Sequence, residues 1–341
     1  MSLGGGASRR AVLRALASTG SLLALGASLG GCASALSQAG ARFDPADLTG
    51  NPTLLVATTR KPVSGAREKP WFGPERAAKM TVARARLKPP DDSRFSLASV
   101  GLDDWRLEGI ETAPQIGDLF GMPGAARDVL IYVHGFNQTF ESAVLDAARL
   151  SDGVRFRGET LAFSWPSKAK LLDYGYDRES AMWSRDALEQ VFAGLMASPT
   201  TGRIHVVAHS IGTMLTMEAL RQIYARQGVA AAERIASVVF ASPDIDLDGF
   251  TSSVQRIGPL ASKITVVTAT NDRALAVSGW MAGGVTRVGA AEKAELKRLG
   301  LHVIDASAKG WGIVNHDLFL SNAQVRKVIR RAVDGLPTDG A

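Results

Sequence analysis

The chain of 341 residues has a single cysteine, Cys32, so neither an internal disulfide nor a cysteine-based zinc site is open to it. Charge of one sign is also scarce. The formal net charge is +6, and the first 31 residues, with Arg9, Arg10 and Arg14 and no acid, hold half of that. The remaining 310 residues carry about +3, too little and too scattered for a nucleic-acid footprint. Aromatic residues make up only 6%, and proline and glycine show no collagen-like period. With 46% hydrophobic and 21% charged residues the composition is that of an ordinary globular protein, which excludes disordered and polytopic membrane classes.

What is present begins with alternation. From about Leu54 onward, short apolar runs alternate with helical patterns, which predicts an α/β fold: a mostly parallel central sheet with helices on both faces. Expected strands are Leu54–Thr58, Thr81–Leu87, Val129–His134, Thr160–Trp165, Ile204–His209, Ile235–Ala241, Ile264–Ala269 and Leu301–Asp305. Expected helices are Phe140–Leu150, Arg178–Met196, Ile211–Ala225 and Ala323–Val333. The segment from Lys61 to Gly124, apart from its one expected strand, reads as irregular loops along the first edge of the sheet. No internal repeat and no later linker is visible, so residues 53–336 are expected to form one domain.

The N-terminus reads Ser8-Arg9-Arg10-Ala11-Val12-Leu13-Arg14, then an acid-free stretch rich in Ala, Leu, Gly and Ser. That order of charge and mild apolarity is the pattern of an export signal over residues 1–31, interrupted too often by glycine and serine for a stable spanning helix. The paired arginines resemble the twin-arginine export motif, and Leu29-Gly30-Gly31-Cys32 resembles a bacterial lipobox. The resemblance implies a lipidated Cys32, a polar tether over residues 32–52, and a membrane-anchored protein in a bacterial cell envelope, on the periplasmic or outer-surface side.

Two serines fit the pattern of a nucleophile elbow. Gly26-Ala27-Ser28-Leu29-Gly30 matches Gly-x-Ser-x-Gly fully but lies in the leader, with no strand before it and no helix after it. Ala208-His209-Ser210-Ile211-Gly212 departs by one alanine yet follows the strand Arg203 to Val207 and opens a helix whose stripe is Ile211, Leu215, Ala219, Leu220 and Ile223. Context selects Ser210. The plain alternative is a serine that caps a helix after a strand.

A serine hydroxyl needs a base to take its proton and a carboxylate to orient that base. His302 and His316 are the two histidines after Ser210. His302 opens an expected strand, whereas His316 sits in a loop before the final helix and is the expected base. Asp272, just past the strand Ile264–Ala269, is the favoured acid, and Asp244 and Asp246 after the preceding strand are the rivals, with turn formation and helix capping as their plain roles. The Ile211 N–H and the Phe136 N–H are the expected oxyanion donors, with Gly135 allowing the turn after Val133 and His134 orienting the loop rather than moving protons.

The motifs His134-Gly135-Phe136-Asn137, Ala208-His209-Ser210-Ile211-Gly212, Asn271-Asp272-Arg273-Ala274-Leu275 and Asn315-His316-Asp317 occur in the order of the α/β-hydrolase superfamily, which the chain resembles. Val56-Ala57-Thr58-Thr59-Arg60, Phe163-Ser164-Trp165-Pro166 and Ala241-Ser242-Pro243-Asp244-Ile245-Asp246 resemble a bacterial esterase/lipase-like branch of uncharacterised function. The resemblance implies a serine hydrolase that cleaves a small-molecule or lipid acyl ester through Ser210, Asp272 and His316, with no metal and no organic cofactor. Two alternatives stand beside it: an amidase or thioesterase with the same triad, and a non-catalytic envelope lipoprotein that binds or scaffolds. His205 and His209 have a helical metal spacing but lie on an expected strand.

Overall fold

The structure, a computed structural model, describes residues 53–63, 69–90, 104–113, 126–269, 271–307, 320 and 322–336. Its described strands are β1 (Thr53–Pro62), β2 (Phe72–Lys88), β3 (Arg106–Ala113), β4 (Arg127–Val133), β5 (Glu159–Ser164), β6 (Thr201–His209), β7 (Ile235–Ala241), β8 (Ile264–Thr268) and β9 (His302–Asp305). They form one sheet in the order β3-β2-β1-β5-β4-β6-β7-β8-β9. The β1–β2 and β2–β3 pairs are antiparallel and all others are parallel, so the sheet is mostly parallel, as the alternating pattern predicts.

The helices described around it are α1 (Phe140–Gly153), α2 (Tyr174–Trp183), α3 (Arg185–Ala197), α4 (Ile211–Gln227), α5 (Val229–Arg234), α6 (Leu247–Val254), α7 (Arg273–Met281), α8 (Lys293–Arg298) and α9 (Ala323–Val333). Strand periodicity of two sends alternate side chains to opposite faces. On β4, Val129, Ile131 and Val133 join one core layer with Leu188 and Phe192 of α3 and Leu215 of α4. Leu130 and Tyr132 join the other, with Phe140 and Val144 of α1 and Ile329 of α9. Both faces of the sheet are therefore covered by helices.

Two sequence readings need correction. In the segment from Lys61 to Gly124 the expected strand Thr81–Leu87 is present, but as part of the 17-residue β2, and a further strand, β3, pairs with it, so that both extend the sheet past β1 where loops were expected. β3 was hard to see because it forms the edge of the sheet. β3 buries only Leu107, and its Arg106, Glu108 and Glu111 are exposed, charges that discourage further strand pairing. The single helix expected over Arg178–Met196 is two, α2 and α3, broken at Ser184. The Ser184 hydroxyl donates to the Ser180 carbonyl at 2.9 Å and contacts the Thr59 hydroxyl at 2.8 Å, so the break is fastened to the end of β1.

The chain leaves β4 for β5 on one side, then crosses to β6 on the other, so the strand order reverses at β4. The crevice beyond the carboxyl ends of strands at such a reversal is where open α/β sheets place their sites. The element that closes it, α4, depends on its buried stripe. Leu215 is wholly buried, and Leu215→Ala is expected to lower stability by about 2–5 kcal/mol through lost transfer energy and a cavity, read as a reduced urea midpoint at unchanged m.

Candidate active site

Ser210 occupies the turn between β6 and α4 with φ 51° and ψ −124°. A serine in that left-handed region is strained by roughly 1–3 kcal/mol and persists only where its surroundings fix it. They do so here. Its N–H donates to the Ala241 carbonyl of β7 at 3.0 Å, and its own carbonyl accepts from the Thr213 N–H and hydroxyl and from the Asp244 N–H.

The elbow interlocks with the loop after β4. A Cβ at Gly212 would lie 2.3 Å from the His134 carbonyl oxygen and 2.8 Å from that of Val133. Smallness two residues after the serine is thus demanded by the end of β4, while Ala208 sits in register with Val133. A Cβ at Gly135 would lie 2.7 Å from His209 Nδ1 and 2.9 Å from Ser210 Cβ. Gly135 and Ser210 are therefore in van der Waals contact, and Phe136 follows at once. Among the described residues, neither the Phe136 N–H nor the Ile211 N–H has a recorded acceptor.

His134 is fully buried and stacks on Trp165 with ring centroids 4.6 Å apart. The Trp165 N–H donates to its Nε2 at 3.1 Å, which places the proton on Nδ1, from where it donates to the Gly135 carbonyl at 2.8 Å. Burial, reinforced by the positive charge of Arg60, pushes its pKa down to about 3. It is a neutral brace of the loop, the orienting role its position suggests.

The three candidate acids differ in what holds them. Asp272 precedes α7, is buried, and caps the helix through Oδ1, which accepts from the Ala274 and Leu275 N–H groups at 2.9 and 3.2 Å. Asp246 caps α6 by accepting from the Gly249 N–H at 2.8 Å. Asp244 Oδ1 takes the Ser278 hydroxyl at 2.5 Å and faces Arg287 Nε at 3.1 Å, and its Oδ2 takes the Tyr174 hydroxyl at 2.8 Å. Both oxygens of Asp244 are engaged in a buried brace that joins the loop after β7 to α2 and α7. His316 and Cys32 lie outside the described residues. His302 is exposed at the start of β9.

Sequence reasoning named no role for Arg60, Ser167, Asp177 or Arg287. Arg60 and Arg287 are among the largest fully buried side chains, an extreme placement for arginine. The first lies in a quoted motif that could have drawn attention to it; nothing in the sequence around Arg287 or Asp177 sets them apart.

The neutral state of His134 has a measurable consequence. Its folded pKa of about 3 lies below the ordinary 6.5, so the unfolded chain binds the proton more readily. Its contribution to stability is complete above pH 6.5 and is lost as pH falls toward 3. The urea midpoint should therefore drop more steeply over that window in the wild type than in His134→Asn, and parallel profiles would show that His134 does not titrate as described.

Comparison with known proteins places these features in a family. A family model described as an α/β hydrolase of unknown function (DUF900) matches residues 122–332. An uncharacterised protein, alr1448, from Nostoc sp. (strain PCC 7120) is 27% identical over 124 residues, covering 29% of this chain and 32% of that one, so the chain matches about a third of that relative's length. Among solved structures, Est1E from Butyrivibrio proteoclasticus superposes with a TM-score of 0.40 at 12% identity, over 75% of this chain and 95% of its own. A predicted CIB-like hydrolase from Thermoplasma acidophilum gives 0.35 at 13%, over 74% and 97%. With the family model covering more than half of its length, the chain belongs to the α/β hydrolases of unknown function grouped as DUF900.

Proposed function

We propose that this hydrolase cleaves a carboxylic ester by an acyl-enzyme route with Ser210 as nucleophile, His316 as base and Asp272 as the acid that orients it. The observation that carries the reading is the strained Ser210 elbow, set against a loop whose Phe136 N–H, like the Ile211 N–H, has no recorded acceptor among the described residues. Such an elbow sets a serine oxygen beside two donors at the carboxyl edge of the sheet, and here Ser210 itself is buried.

In the acylation step the Ser210 oxygen bonds to the ester carbonyl carbon as its proton passes to His316. The carbonyl oxygen takes the negative charge and accepts from the Phe136 and Ile211 N–H groups. The carbon–alkoxide bond then breaks, and His316 returns the proton to the leaving alcohol. Water repeats the sequence on the acyl-serine and releases the acid. Asp272 suits the orienting role better than Asp244, whose two oxygens already serve Ser278, Arg287 and Tyr174, or Asp246, which caps α6 at its exposed start.

Ser210→Ala should abolish labelling by a fluorophosphonate while the fold, read by circular dichroism, is kept. His316→Ala should lower kcat by several orders of magnitude, roughly 10³-fold or more, and Asp272→Asn should lower it far more than Asp244→Asn or Asp246→Asn, with all variants folded. Full labelling of Ser210→Ala would overturn the nucleophile. A matched set of ester, amide and thioester acyl donors separates esterase from amidase and thioesterase chemistry.

We also infer that Cys32 is lipidated after export and anchors the enzyme in the cell envelope, on the strength of the lipobox-like Leu29-Gly30-Gly31-Cys32 behind paired arginines. Among the described residues no helix is long and apolar enough to cross a membrane. One acyl chain gives only marginal attachment, so a multiply acylated cysteine should resist salt extraction and yield to detergent. Cys32→Ser should leave the protein unprocessed or soluble with its esterase activity intact, and a wild type found wholly soluble with a free Cys32 thiol would refute the anchor.

A further inference from the structure

Arg60, at the end of β1, is 1% exposed, and its guanidinium makes contacts only with neutral oxygens among the described residues. Nε donates to the Ser164 hydroxyl at 2.9 Å, Nη1 to the Ser167 carbonyl at 2.9 Å and the Gly73 carbonyl at 3.5 Å, and Nη2 to the Gln138 carbonyl at 2.8 Å. One planar fork thus joins the end of β5, the loop that follows it, β2 and the loop after β4. The charges of Asp177 and Glu141 offset part of the cost of burying it, but no carboxylate pairs with the guanidinium among the described residues, and apolar residues of similar volume hold strands together as well or better. The arrangement calls for a reason beyond packing.

The reason lies in which backbone groups it holds. Around Phe136, the Gly135 carbonyl is taken by His134, the Asn137 N–H points to Asp177 Oδ2 at 3.4 Å, and the Gln138 N–H donates to the Ser167 hydroxyl at 3.1 Å. Asn137 has φ 61°, so this turn sits in a conformation that asparagine tolerates and most residues do not. The Ser167 hydroxyl in turn donates to Asp177 at 2.5 Å. Arg60 grips both the Gln138 carbonyl and the Ser167 carbonyl, so it fixes the loop and the loop's own anchor together. The Phe136 N–H is left in the middle of this held segment.

We propose that Arg60 is a positioning residue for the oxyanion site: its fork sets where the Phe136 N–H points when charge develops on the substrate oxygen. The proposal rests on the reading of Phe136 as an oxyanion donor. Lysine keeps the charge but is a point donor on a flexible stem and cannot span Ser164, Ser167 and Gln138 in one plane.

The test uses the full-length protein with an oxygen ester and its thionoester, in which sulfur replaces the carbonyl oxygen and accepts poorly from donors spaced for oxygen. Arg60→Lys should lower kcat on the oxygen ester about 10- to 100-fold with KM changed by less than about threefold, a loss made in the transition state. It should also shrink the ester-to-thionoester ratio of kcat/KM, which a merely destabilised but correctly built site would leave unchanged. A wild-type rate, or a lower rate with the wild-type ratio, overturns the proposal. Should Arg60→Lys fail to fold, Ser164→Ala, which removes only the Nε acceptor, is put through the same ratio and decides in the same way. If wild-type Ser210 is not labelled by a fluorophosphonate, it is the hydrolase reading that fails, a result distinguishable from either outcome for Arg60.

Discussion

The carbonyl oxygens at the end of β4 press on the turn after β6, and the rest of the site depends on that contact. A Cβ at Gly212 would come within 2.3 Å of the His134 oxygen, so helix α4 begins as close to the neighbouring strand's loop as backbone allows. The same closeness leaves Ser210 no relaxed conformation and brings Gly135 against its Cβ. Strain at the serine, the absence of a side chain at 135 and 212, and the reversal of strand order at β4 are one geometric fact seen from three sides. None would survive if β6 slipped by one residue, because the alternation that buries Val206 and Ala208 on one face and Val207 on the other fixes the register.

Around that contact the carboxyl edge is braced by ions rather than by apolar packing. Asp244 and Arg287 are both buried and share Ser278, and Tyr174 ties the same carboxylate to the start of α2. Burial, more than any neighbour, raises the pKa of Asp177, although Ser167 and two backbone N–H groups oppose the rise. Such networks contribute little net stability compared with apolar substitutes, but breaking one member leaves the other charge unpaired in a dry place. Loops held this way have few alternative positions. That suits a surface that must present backbone donors without reorganising.

How much of this was legible in the sequence follows from the kind of signal each element carries. Strands buried on both faces, such as Ile235–Ala241, are continuous apolar runs and were read to the residue. The edge strand β3 was missed because its one covered face needs few apolar residues and its charges look like a loop. The break at Ser184 was missed because helical periodicity continues across it; the cause is a tertiary contact with Thr59. Ser210, Gly135 and Gly212 were legible because an elbow demands residue sizes at fixed offsets. Arg60 and Arg287 were not, since an arginine's burial is decided by oxygens contributed from strands and loops far along the chain. The three aspartates were separable only by their partners, as all of them follow strand ends at similar height.

The buried cation also bears on the histidine beside it. Burial is the larger cause of the low His134 pKa, and the Arg60 charge adds to it, since a second cation in the same dry region would be repelled. Arg60 itself is brought down to about 10 by burial and stays charged at neutral pH. The charge on the arginine therefore favours the neutral histidine. Neutrality matters because only an unprotonated Nε2 can accept from the Trp165 N–H, and that acceptance is what commits the proton to Nδ1 and to the Gly135 carbonyl. A doubly protonated ring would still donate to Gly135, but its Nε2 would lose the Trp165 N–H as a donor and would donate instead to the Trp165 carbonyl, 3.1 Å away. The loop after β4 is thus held at its two ends by the imidazole at Gly135 and the guanidinium at Gln138, whose charge helps keep that imidazole neutral, with Phe136 between them.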